Sequence, residues 1–287
     1  MSIQLVIILI LATGVGFLAW FVIKSLIVPT KIDGIAKLLK QGKTTAAIKL
    51  GKNLSSKNPR DAETHYLLGK AYLADKKPEL ALMEFKIVNQ NAIFGKTIPE
   101  AEFRKTIAQL YIKYNQPEEA LKEYLLLVKL EPGNADYYYN IGNLFEKRER
   151  SDQSIAYYQK AIEANPKHIK AHAAMGLLLY RGKQIAEAKK EINTAISLDP
   201  NAYASYYYLG KILKESKDYV GAVNAFEKSM RDPEYRQKSM IERGICYFSA
   251  NNIEKAVAEF ERAITASQEE SSQDTLYARY FLASCYE

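Results

Sequence analysis

Residues 132–200 read PGNADYYYNIGNLFEKRERSDQSIAYYQKAIEANPKHIKAHAAMGLLLYRGKQIAEAKKEINTAISLDP, and the prolines Pro132, Pro166 and Pro200 stand 34 residues apart within them. The same interval separates Gly142, Gly176 and Gly210, as well as Tyr138, His172 and Tyr206, and Tyr158, Ile192 and Phe226. Several positions agree in each period, so the interval marks a structural unit rather than a chance proline spacing. Repetition on this scale belongs to stacked units, none of which buries its apolar face alone. Both halves of each period carry helix formers with apolar residues at three-and-four spacing, which predicts a pair of helices per unit.

With the recurring glycine set at the eighth place, repeats begin at Val28, Ala62, Ala101, Ala135, Ile169, Tyr203, Gln237 and Leu276. Two steps are 39 residues rather than 34, which predicts five-residue loop insertions within Asn91–Glu100 and Ser267–Thr275. The twentieth place is small: Ala47, Ala81, Ala120, Ser154, Ala188, Ala222 and Ala256. Four places on stand Phe85, Tyr124, Tyr158, Ile192, Phe226 and Phe260, bulky groups expected to fill the space between hairpins. Pro59, Pro132, Pro166 and Pro200 close units because proline cannot continue a helix, and Asp61, Asn134 and Asn201 are the expected N-caps that follow. The first unit departs from the pattern, with Ile35 at the small eighth place and Gly51 at the bulky one. The last ends after one helix that still carries Tyr277, Phe281, Leu282 and Tyr286, so that end is expected to dock on something or to be followed by more chain.

This pattern resembles the tetratricopeptide repeat family across most of the chain. The resemblance implies an all-α solenoid, a right-handed superhelix of helical hairpins, whose function is to hold other proteins rather than to catalyse.

Leu5–Ile23 (LVIILILATGVGFLAWFVI) has no charge, and its 19 residues span about 28 Å as a helix, close to the ~30 Å hydrocarbon core. No basic residue precedes it and no A-x-A site follows, so an uncleaved anchor is expected rather than a signal peptide. Trp20 stands where an interfacial aromatic belongs, and Ala12 with Gly16 forms a small-xxx-small pair that suits anchor pairing and hence a homo-oligomer. The division expected is an anchor at 1–27, a basic stem at 28–61 and the array at 62–287.

The net charge of +7 is uneven: Lys24 to Arg60 holds nine basic residues and the single acid Asp33, while the rest nearly balances. Lysines on the carboxyl-terminal side of the anchor predict a cytoplasmic array by the positive-inside rule, with the stem suited to anionic headgroups. Balanced charge after Asp61 argues against nucleic acid despite 21 tyrosines.

No Gly-rich phosphate loop, HExxH, CxxC or G-x-S-x-G is present, so neither catalytic residue nor cofactor site is expected. His168 and His172 are four apart but lack a third ligand, which favours packing and capping over metal. Cys246 and Cys285 occupy the apolar tenth place of their repeats and are expected as buried hydrophobes.

The layout resembles bacterial inner-membrane tetratricopeptide scaffold proteins, which implies an adaptor for complex assembly at the cytoplasmic face. The alternatives are a periplasm-facing structural protein of an envelope or flagellar assembly, and an accessory subunit of an enzyme complex. In the family, first helices line a concave groove at places 2, 5, 6, 9, 12 and 13. Carried onto this sequence, that implies partner contacts at Lys105, Gln109, Tyr139, Asn140, Asn143, Lys170, Leu177, Tyr180, Arg181, Tyr207, Tyr208 and Lys211. The set is polar, aromatic and mostly basic, suited to an extended acidic peptide. It partly resembles the family's carboxylate clamp: Lys105, Asn140 and Lys170 match, whereas Gln109 replaces Asn and Ala174 replaces the forked Arg donor.

Overall fold

A computed structural model describes residues 32–267 and 272–287. The expected membrane segment Leu5–Ile23 lies outside the described residues, and among the described residues no helix is long and apolar enough to cross a membrane. The described residues form fifteen α-helices and no strand.

The helices fall into two units, the first ending at Leu130 and the second running Glu131–Glu287. The first contains α1 (Ile32–Lys40), α2 (Thr44–Lys57), α3 (Ala62–Ala74), α4 (Pro78–Asn91), α5 (Glu100–Lys113) and α6 (Pro117–Leu130). The second contains α7 (Ala135–Glu146), α8 (Ser151–Ala164), α9 (Ile169–Arg181), α10 (Ile185–Leu198), α11 (Tyr203–Glu215), α12 (Tyr219–Ser229), α13 (Pro233–Ser249), α14 (Ile253–Thr265) and α15 (Gln273–Ser284). Consecutive helices pair as hairpins, and within the second unit each hairpin packs on the next.

One turn is used seven times. The fifteenth place of every complete repeat lies in the left-handed region: Gly42, Lys76, Asn115, Glu149, Lys183, Lys217 and Asn251, with φ between 52° and 71°. The residue after it donates its N–H back five residues, as Lys77 does to Tyr72 O at 2.8 Å and Gln184 to Leu179 O at 2.9 Å. These are Schellman closures, which satisfy carbonyls left over at a helix end. Only one of the seven uses glycine, so the tertiary pairing of the two helices imposes the conformation against side-chain sterics.

The hairpins close around the eighth and twentieth places. A Cβ at Gly69 would come within 2.3 Å of Phe85, at Gly142 within 2.5 Å of Tyr158, and at Gly210 and Gly244 within 2.6 Å of Phe226 and Phe260. The bulky groups therefore lie first against the glycine of their own hairpin. Phe85 also meets Phe103 of the following hairpin at 5.7 Å between centroids. Every residue at the twentieth place from Ala47 to Ala256 is fully buried. Ser154 is the one hydroxyl among them, and it donates to Gly142 O at 2.9 Å, so its polarity is satisfied. In the first hairpin the sizes are exchanged: Ile35 is buried at the eighth place, and Gly51 leaves room for Leu68 of α3, 2.9 Å from a Cβ built there.

Two local expectations need correcting. Asn201 does not cap α11: the cap residue is Ala202, while Asn201 Oδ1 accepts from the Tyr203 hydroxyl. The insertion before α5 is a loop, as expected, and a packed one: Ile98 is buried and Phe94 packs on Phe103 at 5.5 Å beneath the Arg104 guanidinium. The seventh repeat starts four residues early, since Asp232 caps α13 by accepting from Glu234 N and Pro233 supplies the fixed φ of a first helical residue.

Candidate functional site

Within the second unit the first helices of neighbouring hairpins lie side by side, α9 on α11, α11 on α13 and α13 on α15. Their small and apolar places face their own hairpins, so the remaining places converge on a common side. There they enclose an open cavity of about 450 Å³. Its walls are Tyr180 and Arg181 of α9, Tyr207, Tyr208 and Lys211 of α11, Glu234, Tyr235, Lys238, Ile241 and Glu242 of α13, and Asp274 and Tyr277 of α15.

The tyrosines form a contact chain. Ring centroids of Tyr180 and Tyr208 are 6.2 Å apart, those of Tyr208 and Tyr207 5.3 Å, and those of Tyr207 and Tyr235 5.2 Å. Tyr207 is held from below by Phe226 at 5.7 Å. Burial raises the hydroxyl pKa of Tyr207, with Glu242 adding to it. Burial likewise raises Tyr180, whose hydroxyl donates to Glu215 Oε1 at 2.6 Å. Burial pushes Tyr235 up to about 12, so these phenols are neutral donors near neutrality.

Two of the wall's cations are paired. Lys211 Nζ sits 2.8 Å from Glu242 Oε1, Lys214 holds the other oxygen of the same carboxylate, and Arg181 Nη1 is 3.1 Å from Glu146 Oε1. Three cations and three carboxylates line the wall.

Of the residues anticipated from the repeat frame, Tyr180, Arg181, Tyr207, Tyr208 and Lys211 meet in this cavity. The others do not line it. Tyr139 packs between Tyr158 and His168 at 5.7 and 5.2 Å, and Asn140 donates to Asp136 O of its own helix. Asn143 Oδ1 accepts from the Tyr158 hydroxyl. Lys170 is exposed and Leu177 half-buried on α9. Lys105 and Gln109 are exposed on α5 in the first unit, so the positions resembling the carboxylate clamp are divided between the two units.

The frame reading missed Tyr235, Lys238, Glu242, Asp274 and Tyr277. Lys238 and Glu242 stand at the second and sixth places of the seventh repeat, so the same rule extended by one repeat finds them. Tyr235 precedes the frame and is helical only because α13 starts early.

A second recurrence lies on the buried side. The fourth place of one helix meets the twenty-third of the next as His65 with Glu84, Arg104 with Glu123 and His172 with Glu191, at 2.5, 2.7 and 2.6 Å. His65 and His172 also reach Pro59 O and Pro166 O, both at 3.0 Å. His168 Nδ1 accepts from Ala171 N as the cap of α9, which leaves Nε2 to donate to Asp136 Oδ1. These histidines are structural, and among the described residues no group of three potential ligands converges. Burial pushes the Cys246 thiol up to about 12, whereas Cys285 is only half-buried, a departure from the expectation for both.

Sequence profiles described as "Tetratricopeptide repeat" match residues 37–86, 135–168, 173–237 and 238–270. These cover more than half of the chain, and the chain belongs to the tetratricopeptide repeat family. It is 32% identical to serine/threonine-protein phosphatase 5 of Mus musculus, over 49% of this chain and 27% of the phosphatase. It is 21% identical to the BBSome complex member BBS4 homolog of Drosophila melanogaster, over 82% of this chain and 48% of that protein. The chain thus spans less than half the length of these curated relatives. Among solved structures, the C-terminal part of a TPR repeat-containing protein from Cytophaga hutchinsonii superposes with a TM-score of 0.67 at 17% identity, covering 86% of this chain and 99% of that one. Such a likeness establishes the fold, a helical repeat solenoid.

Proposed function

We propose that the protein is a non-catalytic scaffold that holds an extended segment of another protein against the first helices of its later repeats. One observation carries this reading: three successive hairpins and the helix that follows them contribute tyrosines or charged residues to a single open cavity, rather than a flat solvated wall. A groove that crosses several repeats suits an extended chain, because each repeat offers the same places at a new step along it. The acidic-peptide version of this reading draws on Lys105 and Lys170; inside the cavity Lys211 and Arg181 are already met by Glu242 and Glu146, and Lys238 is the exposed cation of the wall.

The array works from a membrane in this reading. The uncharged run Leu5–Ile23 serves as the anchor, and the basic residues from Lys24 to Arg60 keep the array on the cytoplasmic face of a bacterial inner membrane. The anchor's Ala12 and Gly16 supply a route to self-association.

The test uses the full chain in mild detergent, with a photo-crosslinking residue at position 238 in the cavity or, as a control, at position 228 on α12. Crosslinked peptides identified at 238 and missing at 228 support the groove. Equal capture at both, or capture only at 228, overturns it. A topology reporter fused after Glu287 checks the orientation, and periplasmic activity reverses it.

A further inference from the structure

The tyrosine-lined cavity is specific in its chemistry, and the choice of occupant rests on its serving as a peptide groove. On its wall Lys211 and Arg181 have fixed partners in Glu242 and Glu146, so an acidic chain would have to compete for them. The wall is formally neutral, and charge complementarity therefore selects an uncharged occupant. The hydroxyls of Tyr207, Tyr208 and Tyr235 have no hydrogen-bond partner among the described residues, while their rings touch in sequence. The site thus offers aromatic faces beside unused phenolic donors.

We infer that this cavity binds a proline-rich segment in the polyproline II conformation. Such a segment makes no internal hydrogen bonds, so its carbonyls are free to accept from the tyrosines. Its prolyl rings are compact, uncharged and suited to packing on aromatic faces. It is already extended before binding, so little conformational entropy is lost on docking. The touching rings from Tyr180 to Tyr235 form a continuous aromatic track rather than a single aromatic box, which suits a repeated apolar ridge.

The experiment titrates the full chain in detergent with four labelled ten-residue peptides by fluorescence anisotropy: decaproline, an alternating Asp/Glu peptide, an oligolysine and a Gly/Ser control. Decaproline is expected to bind about tenfold or more tightly than the other three, with an affinity nearly unchanged between low and high salt. Tyr208→Ala with Tyr235→Ala should lose about tenfold in decaproline affinity while helicity is retained, and the Tyr→Phe pair should lose part of it. Tighter binding of the acidic or basic peptide, with strong salt dependence, overturns the proline assignment and leaves the groove standing. Binding of the Gly/Ser control equal to decaproline also overturns it. If no peptide binds and no crosslink forms at position 238, the groove reading fails with it. If helicity is lost in the double alanine variant, Lys238→Glu provides the second probe, and acquired oligolysine binding there places the ligand in this cavity, whereas decaproline affinity unmoved by both Lys238→Glu and Tyr→Phe overturns the site.

Discussion

Gly142 and Tyr158 illustrate how tightly single residues determine a hairpin. The space a Cβ would need at Gly142 is occupied by the Tyr158 ring, itself fully buried and tied through its hydroxyl to Glu146. Gly142→Ala therefore overpacks the hairpin and should cost about 1–3 kcal/mol in urea unfolding; a cost near zero would show that the ring moves freely. The reverse expectation holds at Lys217. It is exposed, has φ of 61°, and its side chain has no partner among the described residues. Lys217→Gly removes the left-handed penalty and should stabilise by about 0.5–1 kcal/mol after the entropy that glycine adds to the unfolded chain. A loss of stability in thermal unfolding would contradict that account. The two glycine substitutions thus carry opposite signs, because one position lacks space and the other lacks a comfortable backbone.

Within a helical pair, the buried contact of Arg104 on α5 with Glu123 on α6 links the two elements. Both side chains are nearly inaccessible, and Glu100 and Asn89 supply further hydrogen bonds. Arg104→Ala strands Glu123 and should cost about 3 kcal/mol, whereas Arg104→Met with Glu123→Leu should recover most of that loss. Chemical denaturation of the three proteins checks the sign of the coupling. This element-level wiring was not legible in the sequence. The fourth place is His in two repeats, Arg in a third and Tyr at 138 and 206, so no one residue type marks the donor, and its partner is 19 residues away. The helical phase was legible because, after the first hairpin, the eighth and twentieth places hold only small groups. The turns were not, since six of seven use Lys, Asn or Glu where glycine would signal a left-handed residue. At the site, Tyr208 and Lys211 followed from the frame, while the pairing of Lys211 with Glu242 crosses from one repeat to the next and cannot be read within either.

At the scale of the molecule, buried phenols make alkaline stability a global property. Burial raises Tyr158, Tyr180 and Tyr207 and brings Tyr111 and Tyr235 up to about 12, with Cys246 also at about 12. An unfolded tyrosine loses its proton near pH 10 and an unfolded thiol near 8.5, before the folded groups do. Their contribution is therefore complete below about pH 8 and fades as pH rises toward 12. Thermal unfolding followed by circular dichroism from pH 7 to 12 should show a steadily falling midpoint above pH 9. Absorbance at 295 nm should show tyrosinate appearing together with unfolding. Because most of these groups lie in the second unit, that unit should melt first in alkali. A midpoint independent of pH up to 12 would rule out the buried phenols as the cause.

The seven Schellman closures have a consequence for observing the chain in motion. Each places one backbone amide, among them those of Lys77, Gln116, Arg150, Gln184, Asp218 and Asn252, in a bond that breaks only when the two helices of its hairpin part. These amides form a set of hydrogen-exchange reporters, one per repeat. Their relative rates in deuterated buffer would map where the array opens first, hairpin by hairpin, without any label being introduced.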